Sequence, residues 1–336
     1  MLRERLRQKA LFIREVRNFF SSREFVEVET PSLCPALIPE AAIEVFRTEL
    51  FSGSGASQEL FLAPSPELWM KRLLAAGSGD IFQIARSYRN ADTGSPVHNP
   101  EFRLLEWYSV GASYMNCIAT TEELFSHLAE RGAVRSADKA LSPPFKRMSM
   151  EEAFRTYADI DLASCVLPSD LVREGERRGL LMPSDPTWEE AFHVIFLSLV
   201  EPVLPRDKPL VLLDYPALIP TTARHGKGTL FAERWELYVK GIEIANCYTE
   251  ETDPAEIRSF LLSEQSRKRD SRVRHPVDQG FAELFEKGFP PCAGVALGLD
   301  RLEMVLSGET SLEGVILFPF FGILKDIIQH RVKGNT

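Results

Sequence analysis

The chain has 336 residues, 44% of them hydrophobic and 26% charged, which is ample for a sizeable core in one large domain or two ordinary ones. Twenty glycines and 22 prolines are near average usage and exclude collagen-like, coiled-coil and largely disordered chains. With 48 acidic against 39 basic residues the net charge is −9, the wrong sign for a protein whose main work is wrapping nucleic-acid phosphates, although a local basic patch stays open.

Leu2, Leu6, Leu11, Ile13, Val16 and Phe20 recur at helical spacing with charges between them and predict an opening amphipathic helix. The segment is Arg-rich, but Glu4 and Glu15 interrupt it and no apolar targeting region follows, so a cytoplasmic chain is expected. Phe25 to Thr30 alternates apolar and polar residues and stops at Pro31, as a half-buried strand does. Pro66 at the entrance of Leu68, Met70, Leu73 and Leu74, with Ser65 to cap it, predicts a short helix over 66–76. Two strand-like runs, 81–89 and 102–108, flank a loop rich in Asn, Asp, Gly and Pro and predict a long-looped antiparallel hairpin. Residues 112–131 read as helix.

From 132 to about 208 the pattern changes to a capping box at Ser149 to Glu152, helical periodicity over 168–178 and 187–200, and Pro-rich joints. This reads as a helical insertion or connecting subdomain within one catalytic unit spanning 1–330. Strand character returns at 210–215 and 234–245, and Gly294 to Gly298 leads into a helix over 299–306. The longest uncharged runs, such as Gly314 to Leu324, fall well short of the ~20 residues a membrane span needs, and none is expected. Five scattered cysteines without a CxxC pair argue against a disulfide framework or structural zinc. The six histidines lack metal-ligand spacing, and His193, inside an apolar run, reads as a core residue.

Three separated clusters place arginines and carboxylates on strands. Arg89 closes one strand of the hairpin and His98-Asn99-Pro100-Glu101-Phe102 opens the other, so a guanidinium that can fork onto a phosphate meets an aromatic face that suits a purine. Glu236 and Glu243 are seven apart, on opposite faces of an ideal strand, so meeting one ligand requires a turn or bulge near Gly241. Two such carboxylates, together with phosphates, suit Mg²⁺. In Gly294-Val-Ala-Leu-Gly298-Leu-Asp-Arg301 the glycines permit close ligand approach, and Arg301 at a helix start can meet a terminal phosphate. Taken singly, each arginine reads more readily as a solvated or ion-paired side chain, and no P-loop or GxGxxG occurs. Only the ordered set is specific.

That set resembles the catalytic domain of class II aminoacyl-tRNA synthetases, in the lysyl subgroup. Phe25 to Pro31 resembles motif 1, Tyr88-Arg89-Asn90 with His98 to Phe102 resembles motif 2, and Gly294 to Leu302 resembles motif 3. The resemblance runs from near residue 5 to about 320. It implies an α+β fold, a mixed and mainly antiparallel sheet flanked by helices, and a homodimer built on motif 1. The motif 1 helix begins almost at Met1, so no anticodon-binding domain is expected before it. The chain is in this respect similar to the elongation factor P lysine ligase family, which activates (R)-β-lysine with ATP and transfers it to a lysine of elongation factor P. Binding of tRNA is then not expected. Ala296, where lysyl-tRNA synthetases usually have glycine, points the same way: one methyl group is worth ~1–3 kcal/mol of selectivity.

Residue by residue, the resemblance implies that Arg89 meets the ATP α-phosphate and Arg301, beside Gly298, the γ-phosphate, as the two catalytic groups. Asn90, Ala91, Asn99, Phe102 and Leu237 complete the implied ATP site, and Glu236 and Glu243 hold Mg²⁺. The implied amino-acid pocket is Ser65, Pro66, Glu67, Tyr108, Glu243, Asn246, Glu250 and Ala296. In it Glu67 takes an amino group near the reacting end, Asn246 the carboxylate, and Tyr108 and Glu250 the distal ammonium. Two positions depart from the family: Ala91 replaces a glutamate, with Asp92 as the candidate substitute at adenine, and Cys247 replaces a glycine. Adenylation with tRNA, a small molecule or a carrier protein as acceptor stays open. So does a non-catalytic paralogue, against which the joint presence of Arg89, Glu236, Glu243 and Arg301 speaks. No residue identifies itself as the base that deprotonates an acceptor amine.

Overall fold

The computed structural model describes residues 2–53, 55–91, 95–134, 138–226 and 228–325. In chain order it runs through helix α1 (Leu2–Ser21), strands β1 (Val26–Glu27), β2 (Leu33–Cys34), β3 (Arg47–Phe51) and β4 (Ser57–Leu62), helix α2 (Glu67–Ala75), strands β5 (Ile81–Tyr88) and β6 (Glu101–Val110), and helix α3 (Tyr114–Glu130). Next come β7 (Lys146–Ser149), α4 (Met150–Ala153), α5 (Pro168–Arg177), α6 (Trp188–Ile195), β8 (Leu210–Pro216), β9 (Phe231–Val239) and β10 (Ile242–Thr249). Helices α7 (Pro254–Arg267) and α8 (Gly280–Glu286), strand β11 (Cys292–Gly298) and helix α9 (Leu299–Leu306) follow.

Eight strands form one sheet in the order β1-β5-β6-β11-β10-β9-β8-β7. The five pairings from β5 to β8 are antiparallel, and the outermost pairings, β1 with β5 and β7 with β8, are parallel. Strands β2, β4 and β3 make a separate antiparallel sheet. This is the α+β, mainly antiparallel architecture that the motifs imply.

Alternation along the strands decides which side chains are core. Leu105, Trp107, Val295, Leu297, Ala245, Cys247, Trp235 and Leu237 share one face, since neighbouring strands pair in register and successive residues point to opposite sides. The apolar stripes of α1 (Phe12, Val16, Phe19, Phe20) and α3 (Ile118, Leu124, Phe125), with Leu302 of α9, cover that face as one cluster. A second cluster joins α4, α5 and α6 to β8 and Tyr238, and a third joins α2, α7 and α8 to Ile81 and Tyr108. The opposite face of the central strands is thereby left to polar side chains.

Several local expectations change in the folded chain. The strand expected over 25–30 pairs in the sheet for only two residues, although Val28 N still donates to Phe82 O at 2.9 Å. The single run expected over 234–245 is a hairpin, with Lys240 at φ +55° and Gly241 at φ +80°, the paired left-handed conformations of a two-residue turn. Lys146–Ser149 adds an edge strand inside the stretch read as helical; four residues before a capping serine are too few for alternation to register. The β3–β4 hairpin had no sequence assignment. His193 is exposed, because on α6 Ala191, Phe192 and Ile195 take the buried side. All five cysteines are free and buried, and among the described residues no helix is long and apolar enough to cross a membrane.

Candidate active site

The polar face of the central strands carries two adjacent rungs. One reads Glu106, Ala296, Asn246, Glu236 across β6, β11, β10 and β9, and the next reads Tyr108, Gly294, Tyr248, Arg234. A cavity of about 270 Å³ opens over them. Of the residues expected from sequence, Ser65, Glu67, Arg89, Asn99, Phe102, Tyr108, Glu243, Asn246, Glu250, Ala296, Gly298 and Arg301 all line it.

Arg89 follows β5, where its N–H donates to Pro100 O at 3.1 Å and closes the hairpin. Its guanidinium carbon lies 5.4 Å from the centroid of Phe102, and its Nε is buried without a partner among the described residues. Arg301 comes from the first turn of α9; Nε donates to Val97 O at 3.1 Å and Nη1 to Glu243 O at 2.9 Å. The two arginines, 212 positions apart in the chain, line one cavity because β5, β6 and β11 are successive neighbours in the sheet. A buried network holds this corner. Arg103 Nε donates to Asp300 Oδ1 at 2.8 Å, its Nη2 to Glu303 Oε2 at 2.6 Å, and its backbone N–H to Asp300 Oδ2 at 2.7 Å. Asp300→Asn keeps the shape and removes the charge, so unfolding in urea should show a loss of about 1.5–3 kcal/mol; no loss would mean the network does not hold the corner.

Asn99 accepts from Phe320 N at 3.1 Å and donates to Glu101 O. Asn90 and Ala91 do not line the cavity: Asn90 Oδ1 accepts from Ala91 N at 2.8 Å, and Ala91 is held at φ +63°, turning the chain away. Asp92 lies outside the described residues.

At the amino-acid side, Pro66 is the N-cap of α2 and is buried outside the cavity lining. Ser65 Oγ accepts from Glu67 N at 3.0 Å and donates to Glu106 Oε2 at 3.1 Å, while Tyr108 OH donates to Glu106 Oε1 at 2.8 Å. Lys71 is fully buried, with Nζ 2.6 Å from Glu67 Oε1 and 2.7 Å from Glu250 Oε2. Asn246 Nδ2 donates to Tyr248 OH at 3.0 Å and its Oδ1 is buried without a partner among the described residues.

The bend required between Glu236 and Glu243 exists twice over. The turn pairs Glu243 with Tyr238, on the face of Glu236, and a bulge after Glu243 then sets Asn246 opposite Glu236. Glu236 nonetheless stands outside the cavity lining, held by Arg234 Nη2 at 2.6 Å and by the hydroxyls of Tyr215 at 2.5 Å and Tyr238 at 2.9 Å. Leu237 is not among the residues that line the cavity: its side chain is fully buried in the core on the opposite face. Glu40, Glu106, Lys71 and Tyr248 were missed. Three of them had a signal, since Glu106 and Tyr248 are two positions from Tyr108 and Asn246 on strands, and Lys71 is four from Glu67 on a helix.

A family model described as tRNA synthetases class II (D, K and N) matches residues 1–321. The chain belongs to the class II tRNA synthetase family. Its relatives include proteins named elongation factor P-(R)-beta-lysine ligase from Yersinia enterocolitica, 36% identical over 94% of both chains, and from Vibrio vulnificus, 34% identical over 94% of this chain and 96% of that one. A lysine-tRNA ligase from Pelotomaculum thermopropionicum is 32% identical over 95% of this chain and 63% of its own length.

In this class II chain six carboxylates, Glu40, Glu67, Glu106, Glu243, Glu250 and Asp300, line one cavity with the cations Arg89, Arg301 and Arg103, the last already paired with Asp300, and Lys71 stands behind them. The consequence is proton retention. Burial and then Glu67 push Glu106 up to about 8; burial raises Glu250 to about 7 against the pull of Lys71; burial and Glu236 raise Glu243 to about 7. The ordinary glutamate value is 4.5, so the folded chain binds more protons than the unfolded one between that pH and about 8. The stabilisation is complete below about pH 4.5 and disappears as pH rises toward 8. The melting temperature of the ligand-free protein should therefore fall from pH 5.5 to pH 8, and fall less with lysine present, since ammonium groups replace the protons. A rising melting temperature over that window would contradict it.

Proposed function

We propose that this chain is an ATP-dependent, AMP-forming ligase. It activates lysine or (R)-β-lysine as an acyl-adenylate and transfers it to a lysine side chain of elongation factor P, as a cytoplasmic homodimer. Residues 1–330 act as one catalytic unit, with 132–208 inserted in it. The observation that carries the reading is the shared cavity: two guanidinium groups suit a polyphosphate, and the surplus of carboxylates suits an amino acid with two ammonium groups. The near full-length match to relatives named as elongation factor P ligases supports the choice of acceptor.

The substrate carboxylate is itself the nucleophile toward the α-phosphorus, so catalysis is positioning and charge neutralisation. Arg89 offsets the negative charge that builds on the α-phosphoryl group, Phe102 and Asn99 receive the adenine, and Arg301 holds the terminal phosphate. Asn246 orients the carboxylate end of the amino acid through its amide N–H groups. Glu67 receives the nearer ammonium; Glu250, Glu106 and Tyr108 receive the distal one, with Lys71 holding Glu67 and Glu250 in place. A magnesium ion would fit beside Glu243, whose carboxylate makes no hydrogen bond among the described residues and is crowded electrostatically by Glu236; one or two carboxylates with phosphates are the usual magnesium donor set. When bound there, such an ion would supply positive charge to the phosphates.

Incubation of the purified chain with elongation factor P, ATP, Mg²⁺ and either lysine isomer should add the mass of one lysyl residue, lysine less water, to the factor. Absence of lysine-dependent pyrophosphate exchange would overturn adenylation, and charging of total tRNA without modification of the factor would move the acceptor to tRNA. Light scattering at micromolar concentration should give a dimer mass.

A further inference from the structure

Amide formation needs a neutral amine, yet a lysine side chain has a pKa of about 10.4, so at pH 7 only on the order of one in 10³ is unprotonated. Among the described residues, the other carboxylates of the cavity are engaged. Glu67 and Glu250 are ion-paired to Lys71, Glu106 accepts from Ser65 and Tyr108, Asp300 accepts from Arg103, and Glu243, 3.9 Å from Arg301, is the carboxylate proposed for magnesium.

Glu40 differs. It lines the cavity from the segment between β2 and β3, alongside Glu67 and Arg89. That segment is pinned by its backbone: Glu264 Oε2 accepts from Ala41 N at 2.7 Å, and Lys268 Nζ donates to the carbonyls of Glu40, at 2.9 Å, and Ile43. The Glu40 carboxylate itself makes no hydrogen bond or ion pair among the described residues. A fixed backbone with an unengaged carboxylate facing the ligand space is what a proton acceptor requires. The charged groups around it are Glu67 from α2, Arg89 after β5, and Glu264 and Lys268 from the end of α7. Burial and Glu67 raise Glu40 to about 7, while Arg89 and Lys268 pull it down.

We propose that Glu40 is the general base that takes a proton from the acceptor lysine before it attacks the adenylate. The inference rests on the reading of this chain as an adenylating ligase with an amine acceptor. The nitrogen loses two protons in all. The first passes from the ammonium to Glu40. The amine then bonds to the carbonyl carbon, the bond from that carbon to the phosphate oxygen breaks, and the second proton leaves with AMP on its phosphate.

Glu40→Gln separates the two half-reactions. Lysine-dependent pyrophosphate exchange should stay near the wild-type rate, while single-turnover transfer to elongation factor P falls by about 10²-fold. Wild-type transfer should rise with pH and level off once Glu40 is ionised, and the variant should keep rising with the free-amine fraction. Hydroxylamine, already neutral at pH 7, bypasses the base, so both proteins should form the hydroxamate equally fast. Equal losses in exchange and transfer, an unchanged transfer rate, or a raised KM for the amino acid with intact transfer would each overturn the assignment. Lack of exchange in the wild-type protein would remove the adenylation reading and this inference with it.

Discussion

Replacing Arg89 by alanine should lower kcat for lysine-dependent pyrophosphate exchange by about 10³-fold, at the upper end of what the loss of one preorganised charge-stabilising donor costs. The expectation follows from its setting. The guanidinium packs 5.4 Å from the Phe102 centroid and keeps a buried Nε without a partner among the described residues, so its charge is held in place and underused until an anion arrives. Arg89→Lys should recover only part of the rate, because an ammonium cannot present two parallel N–H groups to a phosphate. A loss concentrated in the KM for ATP with kcat intact would place Arg89 in ground-state binding alone and would remove the transition-state role.

Gly294→Ala is the second large effect. An added Cβ on β11 would come within 2.8 Å of both Tyr108 Cδ1 and Glu250 Oε1, closer than real Cβ atoms approach other heavy atoms. The ring and the carboxylate are the two groups proposed for the distal ammonium, and Tyr108 is wedged against the cluster of α2 and α8, so it has little room to retreat. The KM for lysine should rise by about 10²-fold or more, with a stability cost of about 1–3 kcal/mol from overpacking. Unchanged lysine affinity in a folded variant would show that the amino acid does not use the Tyr108 and Glu250 end of the cavity. Circular dichroism and the melting temperature distinguish that result from a misfolded protein.

The motifs were readable because each is local. The strand ending at Arg89, the Phe102 strand and the Gly294 to Arg301 segment each announce themselves in a few residues, and all three line the same cavity. The Leu237 side chain lies away from the cavity for a reason visible only in the sheet: it alternates with Glu236 and therefore faces the core. Glu106 was passed over although it is two residues from Tyr108, since alternation shows which residues share a face and not which face meets a cavity. Glu40 carried no signal at all. It stands in irregular chain between two short strands, and what makes it notable is Glu67, Arg89 and the end of α7 around it, each far away in sequence.

The sequence by itself determined the family, the mixed sheet and the arginine and carboxylate positions, because short-range periodicity and ordered motifs depend on neighbours within one element. It also dictated that Glu236 and Glu243 could share a face only across a bend, and the Lys240-Gly241 turn provides it. Only the tertiary structure decided which carboxylates are free and which are already held. Glu236 is occupied by Arg234 and two tyrosines, Glu67 and Glu250 share Lys71, and the Glu40 carboxylate has no hydrogen-bond or ion-pair partner among the described residues. That distinction turns on burial and on partners brought together by strand register, and the field of a charge depends on distance in space, which spacing along the chain does not contain.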